Sequence, residues 1–274
     1  VEVIVLGSGS PLPDPARAGP STLVRTGAGD LLVDCGRGVL LRAAAAASGA
    51  GAFRAVLLTH LHSDHVCDFN DVVTTRWVTS LQPSPLEVIG PVGTKQLVAA
   101  TLAMLEPDIG YRLAHHADLT WRPECTVREV ERGLVLEGGG VRVTAAPSDH
   151  APVRPTVAYR VDDGDSSVVV AGDTVPCAGL DELCAGCDVL VHTVVRRDLI
   201  EAIGVPRLLD VLDYHSAVAD AARTAARGGV GTLVLTHLVP PPPPGAEAEW
   251  RAQAEEHFGG EVVVAEDLTC VAVG

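Results

Sequence analysis

Apolar and polar residues alternate along most of this chain in short runs of strand length, punctuated by turns rich in glycine and proline and by stretches of helical spacing. Residues 1–6 read as a first strand, ended by Gly7-Ser8-Gly9-Ser10-Pro11. Residues 21–26 and 30–34 read as a pair joined through Gly27-Ala28-Gly29. Residues 53–58 form a mostly apolar run of the buried kind, and 86–89 a shorter one. Further strands are expected at 125–131, 134–136, 141–147, 155–161, 167–171, 188–192, 232–235, 261–265 and 267–273. Helices are expected at 38–48, 67–81, 94–105, 180–185, 217–227 (with Ser216 as N-cap) and 245–258, while 196–212 is mixed and partly helical. Residues 106–123 have no clear period. They read as a surface loop or flap, with Tyr111, His115, His116 and Trp121 as parts of it rather than as metal ligands. The interleaving of strands and helices makes this an α/β chain. No boundary or fixed-period repeat divides residues 1–274, so one domain is expected.

The run at 53–58 leads straight into Thr59-His60-Leu61-His62-Ser63-Asp64-His65, which places three histidines and an aspartate on a strand-to-helix loop. Imidazole and carboxylate suit zinc and related divalent ions. In an extended loop His60 and His62 face one way, and Asp64 and His65 can face a second position, so two metals are expected. A structural zinc site would be richer in cysteine and closed, and a surface histidine cluster would need no partners elsewhere. Partners are present: His150, Asp173 and His237 each stand just past an apolar strand. Asp34, at the end of its strand, can orient a metal-binding histidine from behind or cap the following helix.

Other motifs are discounted. Gly7-Ser8-Gly9 lacks the third glycine and the following helix of a dinucleotide fingerprint. Cys184-Ala185-Gly186-Cys187 has neither a second pair nor a thioredoxin-like context, and reads as two ordinary thiols. The proline run 240–244 reads as a stiff spacer on one rim of the site, in preference to a ligand for a proline-recognition module.

Composition adds limits. Apolar residues are 47% and aromatics 3%, so Val, Leu and Ala must fill the core. The net charge is −15 and Lys95 is the only lysine, a poor electrostatic match to a polyanion such as tRNA unless arginines form a local patch. Seven cysteines without a secretory spacing read as reduced thiols of a cytoplasmic protein. No stretch is long enough for a transmembrane helix, and the first residues read as a strand rather than a signal peptide.

Taken together, Leu6–Pro11, Leu32-Val33-Asp34-Cys35-Gly36, the His60–His65 motif, Ser148-Asp149-His150, Gly172-Asp173-Thr174, Val189–His192, Tyr214-His215-Ser216 and Leu233–His237 resemble the metallo-β-lactamase superfamily, in its ribonuclease Z-like and arylsulfatase-like branch. Tyr214-His215-Ser216 ahead of its helix points to ribonuclease Z, and the chain most resembles actinobacterial proteins so labelled. The resemblance implies a four-layer αβ/βα sandwich. It also implies that His60, His62 and His150 bind one metal, that Asp64, His65 and His237 bind another, and that Asp173 bridges them. The ions would be Zn2+, with Mn2+ or Fe2+ as alternatives. His215 would stabilise the transition state or donate a proton, and Asp34 would orient a ligand. Two-metal hydrolysis follows, with Asp64 able to accept the water's proton. A homodimer is the expected assembly.

Two departures stand out. The family's tRNA-gripping arm is absent between His150 and Asp173. Thr193 stands where an acidic partner for His215 is usual, leaving Asp210 or Asp213 as substitutes. Three readings follow: a ribonuclease Z-type phosphodiesterase acting on tRNA 3′ ends, a hydrolase of small esters (cyclic phosphodiesters or aryl sulfates), or a non-catalytic metal-binding protein. β-Lactamase or thioesterase chemistry is also hosted by such folds.

Overall fold

A computed structural model of the chain describes residues 1–243 and 245–274. The first half of the chain builds one sheet from β1 (Glu2–Gly7), β2 (Ser21–Thr26), β3 (Gly29–Val33), β4 (Phe53–Leu57), β5 (Leu86–Gly90) and β6 (Cys125–Glu129). The last strand, β14 (Thr269–Ala272), returns to pair with β1, giving the order β14-β1-β2-β3-β4-β5-β6. The second sheet runs β13-β12-β11-β10-β9-β8-β7. Its strands are β7 (Gly133–Gly138), β8 (Val141–Pro147), β9 (Val157–Asp163), β10 (Ser166–Val170), β11 (Val189–Val195), β12 (Thr232–Val239) and β13 (Glu261–Val264). Each sheet has an antiparallel part and a parallel part: β3 to β6 are parallel in the first, and β10 to β13 in the second.

The helices are α1 (Val39–Ala45), α2 (Ser63–Val66), α3 (Phe69–Thr79), α4 (Thr94–His115), α5 (Ala178–Cys184), α6 (Arg197–Ile203), α7 (Pro206–Leu209), α8 (Val218–Gly228) and α9 (Glu247–Glu255). α1, α3 and α4 cover the outer face of the first sheet; α5, α8 and α9 cover that of the second. The inner faces meet in a shared apolar layer that includes Val3, Val24, Leu57, Val168 and Val234. Strand residues alternate between this layer and the outer clusters under the helices, as a period of two demands. The architecture is therefore the expected four-layer sandwich of two mixed sheets. Buried Tyr159 spans the layer, its hydroxyl donating to the carbonyls of Leu58 (2.8 Å) and Ile89 (3.3 Å).

Several expectations need correction. The helix expected at 67–81 is α3, but a further short helix, α2, begins inside the histidine motif, so Asp64 and His65 sit on a helical turn rather than in an extended loop. α4 runs past residue 105 through Pro107 to His115, so the supposed flap is helical over its first half. Proline is tolerated there because the carbonyl it frees, four residues back at exposed Ala103, can bond to water. β11 continues beyond His192, and β12 beyond Leu235, so His237 lies within a strand at a positive-φ kink (φ 50). Ser216 does not cap α8: Ala217 precedes that helix, and Ser216 Oγ donates to the Thr174 carbonyl at 2.8 Å. Of the proline run, Pro244 lies outside the described residues; Pro240–Pro243 follow β12 as irregular chain.

Candidate metal centre

The histidine motif leaves β4 at the seam between the two sheets. His150 enters from the end of β8, Asp173 from the turn after β10, and His237 from the kink in β12. Ligand-type atoms converge in three overlapping groups. The first is His60, His62, His150 and Asp173; the second is Asp64, His65 and His237; the third is Asp173, His215 and His237. Within each group these atoms lie within 4.8 Å of one another. All the residues expected from the sequence to face the site thus meet there, and Asp173 belongs to two groups. His62 is half-buried at the rim, and the others are buried. Gly172 turns the chain into Asp173 at φ 63; a Cβ there would lie 2.7 Å from the Thr59 side chain, so this approach requires glycine.

Hydrogen bonds behind the cluster fix which ring nitrogen faces it. Asp34 accepts three: from Thr59 N, from Thr59 Oγ1 and from His65 Nδ1, each at 2.8 Å. Having given its proton to Asp34, the Thr59 hydroxyl can only accept from His60 Nδ1, at 3.0 Å. His150 Nδ1 donates to the Tyr214 carbonyl (2.8 Å) and His215 Nδ1 to the Val211 carbonyl (3.0 Å). The Nε2 of each ring therefore faces the interior: unprotonated in His60 and His150, and set beside the Asp173 carboxylate in His65 and His215. Asp34 bonds to His65 and does not cap the helix, since Gly38 precedes α1. Neither Asp210 nor Asp213 replaces the acidic partner of His215; a backbone carbonyl does. Thr193 Oγ1 instead donates to the Gly172 carbonyl at 2.9 Å, steadying the turn before Asp173. Thr59 was missed in the sequence, although its place directly before His60 was a usable signal. The Tyr214 and Val211 carbonyls carry no side-chain signal at all.

The charges in the cluster respond to this crowding. Burial, with His65 next in effect, pushes His60 well below the ordinary imidazole value, and burial takes His150 down to about 4. Burial also acts to lower His65, but Asp173 and Asp34 outweigh it and hold its pKa well above the usual range. Burial opposes ionisation of Asp173, yet His237, His65 and His215 keep its carboxyl well below the usual range. For His215 the bond to Asp173 overcomes burial and the net shift is upward.

The donor set fits divalent cations. His60 Nε2 lies 3.0 Å from His62 Nδ1, and His150 Nε2 3.3 Å from the same atom, so three imidazole nitrogens converge at a spacing that ligands sharing one cation would have. His65 Nε2 and Asp173 Oδ1 are buried without hydrogen-bond partners among the described residues, which is costly for groups that a cation does not engage. His115 and His116 sit at the end of α4 and take no part. Buried His192 bonds only to the carbonyl of its neighbour Thr193, at 2.7 Å. Cys184 and Cys187 are buried, unbridged thiols.

Comparison with known proteins identifies the family. Residues 30–238 match the Beta-lactamase superfamily domain. A Ribonuclease Z of Mycolicibacterium paratuberculosis is 58% identical over 275 residues, covering 100% of this chain and 98% of that protein. The chain belongs to the ribonuclease Z family of the beta-lactamase superfamily. A second ribonuclease Z, from Mycobacterium bovis, is 55% identical with the same coverage. The ribonuclease Z fold is recovered in solved structures too. The metallo-beta-lactamase fold protein YhfI from Bacillus subtilis has a TM-score of 0.76 at 24% identity, over 100% of this chain and 98% of that one. The short form of human tRNase Z has a TM-score of 0.74 at 22% identity, over 100% of both. As a ribonuclease Z family member with this His/Asp cluster, the chain is a metal-dependent hydrolase, and its ligand groups indicate divalent-metal binding.

Proposed function

We propose that the chain is a ribonuclease Z-type phosphodiesterase acting on tRNA precursors, with a two-ion centre in which His60, His62 and His150 hold one ion, Asp64, His65 and His237 the other, and Asp173 bridges them. The observation that carries this reading is the position of one buried carboxylate: Asp173 groups with His60, His62 and His150, and its Oδ2 lies 3.4 Å from His65 Nε2 and 3.5 Å from His237 Nε2. Imidazole and carboxylate donors favour Zn2+, with Mn2+ or Fe2+ as alternatives. When bound, the pair of ions supplies a water of lowered pKa and neutralises the non-bridging oxygens of the phosphodiester.

The chain's own residues do the rest. Asp64, held below the usual carboxylate range by its bond to His237 despite burial, stays ionised and can accept the water's proton. His215 directs Nε2 inward, 3.2 Å from Asp173 Oδ2, because Nδ1 is committed to Val211. With its pKa raised it can carry a proton to the leaving oxygen. His62, at the half-buried rim, is where substrate meets the centre.

The missing arm does not argue against tRNA as strongly as it first does. The 58% identical relative aligns over 275 residues that make up 98% of its length, against 274 here, so it has no room for an inserted arm either. The charge of −15 still favours a second reading, hydrolysis of small cyclic phosphodiesters or aryl sulfates. A rate panel with precursor tRNA, a bis-aryl phosphate, a cyclic nucleotide and an aryl sulfate, with metal content measured, separates the two. Cleavage of precursor tRNA at its discriminator base sinks the small-ester reading; turnover of the small esters alone sinks the tRNA reading. We further propose a homodimer, to be checked by sedimentation, and a reducing, cytoplasmic setting, in keeping with seven unbridged thiols. No helix among the described residues is long and apolar enough to cross a membrane.

A further inference from the structure

The buried histidines of the centre have their outer ring nitrogens tied to protein atoms, with one exception. His237 turns Nε2 toward Asp64 Oδ2 (3.3 Å) and Asp173 Oδ2 (3.5 Å). Its Nδ1 is buried and has no hydrogen-bond partner among the described residues, and the same holds for Oγ1 of its neighbour Thr236. Two buried polar atoms left unsatisfied would be costly, so each calls for a partner. The two residues border one small cavity between the sheets, of about 20 Å³, whose walls include Asp34, Gly172 and Thr193. A single water needs only about 10–15 Å³ of such space when polar partners surround it. Thr193 stands directly beside Thr236 in the β11–β12 register. Because its hydroxyl proton already goes to Gly172, Thr193 can only accept a further bond.

We infer that one buried water occupies this cavity, accepts the Nδ1–H of His237 and is held by the Thr236 hydroxyl, which makes Thr236 a positioning residue for the second ion. The inference rests on the metal reading above. Asp34 does for His65 directly what Thr236 does for His237 through the water. In both cases the remaining proton is pinned on Nδ1 once an ion takes the place of any proton on Nε2, which then serves as the ligand. Valine in place of Thr236 keeps the shape and removes the hydroxyl; serine keeps the hydroxyl.

The test is a zinc titration against a competing chelator on wild-type, Thr236→Val and Thr236→Ser proteins. Thr236→Val is expected to bind the second ion about 10–100-fold more weakly, the loss usual when a partner behind a ligand is removed. The first ion should be unaffected, and Thr236→Ser should retain wild-type affinity. A Thr236→Val protein that binds both ions as wild type does would overturn the inference and leave the metal reading standing. A wild-type protein that binds no zinc would overturn both. Independently of any variant, a high-resolution crystal structure of the zinc-loaded wild type should show a water about 2.7–3.2 Å from both His237 Nδ1 and Thr236 Oγ1. A dry cavity, or a protein acceptor on Nδ1, would overturn it.

Discussion

Asp34→Asn is the sharpest probe of the ligand-orienting network. Asp34 has a φ of 63, a left-handed conformation that asparagine tolerates better than most residues, so the backbone need not move. The amide oxygen of the new side chain can still accept from Thr59 N, where Asp34 Oδ1 does so at 2.8 Å. Its amide nitrogen then replaces Oδ2 and faces His65 Nδ1 across the same 2.8 Å. Two donors now oppose each other. Either His65 keeps its Nδ1 proton and loses the bond, or the proton moves to Nε2, where the second ion should bind. A lost bond to a buried charged partner costs about 1–3 kcal/mol, which is about a 10–100-fold loss in affinity. The expected result is a second ion weakened about 10–100-fold and a matching fall in phosphodiesterase rate at limiting zinc, recovered in excess zinc. Chelator-competition titration and turnover of a bis-aryl phosphate over a zinc series measure both. An Asp34→Asn protein with wild-type affinity for both ions would refute the tautomer argument.

Other outcomes follow from the same geometry. His60→Ala should bind one ion fewer by elemental analysis and lose about 10³-fold or more in rate, given the scale on which two-ion sites act; full metal content with full activity would sink the ligand assignment. His215→Ala should keep both ions while its kcat falls about 10²–10⁴-fold, the range for a lost general acid. Because the folded-state pKa of His65 is raised, its contribution to the stability of the metal-free protein is fully present below the ordinary value of 6.5 and is lost as pH rises through the raised one. Chemical denaturation of the metal-free protein should therefore show the gap between wild type and Asp34→Asn narrowing toward alkaline pH. Zinc must displace that proton, so affinity at the second position should rise with pH over the same interval. Tyr159→Phe leaves the Leu58 carbonyl without its 2.8 Å donor and should cost about 1–3 kcal/mol, read as a Tm lower by several degrees.

How much of this could be read in advance depended on whether side chains carried the information. The strands were legible because their inner and outer faces bury different residues with a period of two, as in Val141–Pro147, which falls where expected. The ligands were legible because His60, His62, Asp64 and His65 crowd a strand end, and because His150, Asp173 and His237 repeat that placement. Pro107 hid the second half of α4, since its local cost is met by solvent at Ala103. Ser216 looked like a cap because the hydroxyl is right for one; a tertiary acceptor at Thr174 claimed it instead. The partner of His215 was out of reach, since any residue can supply the Val211 carbonyl.

The two sheets contribute separately to each ligand group. His60 and His62 come from the first, and His150 and Asp173 from the second; Asp64 and His65 face His237 in the same way. An ion held in either group is therefore a fastener across the joint between the halves of the chain, working as a covalent cross-link would. Its removal should quicken unfolding and protease cleavage as well as stop hydrolysis. Turnover and durability are then set by the same few atoms, and a variant that loosens an ion for speed also shortens the lifetime of the folded chain.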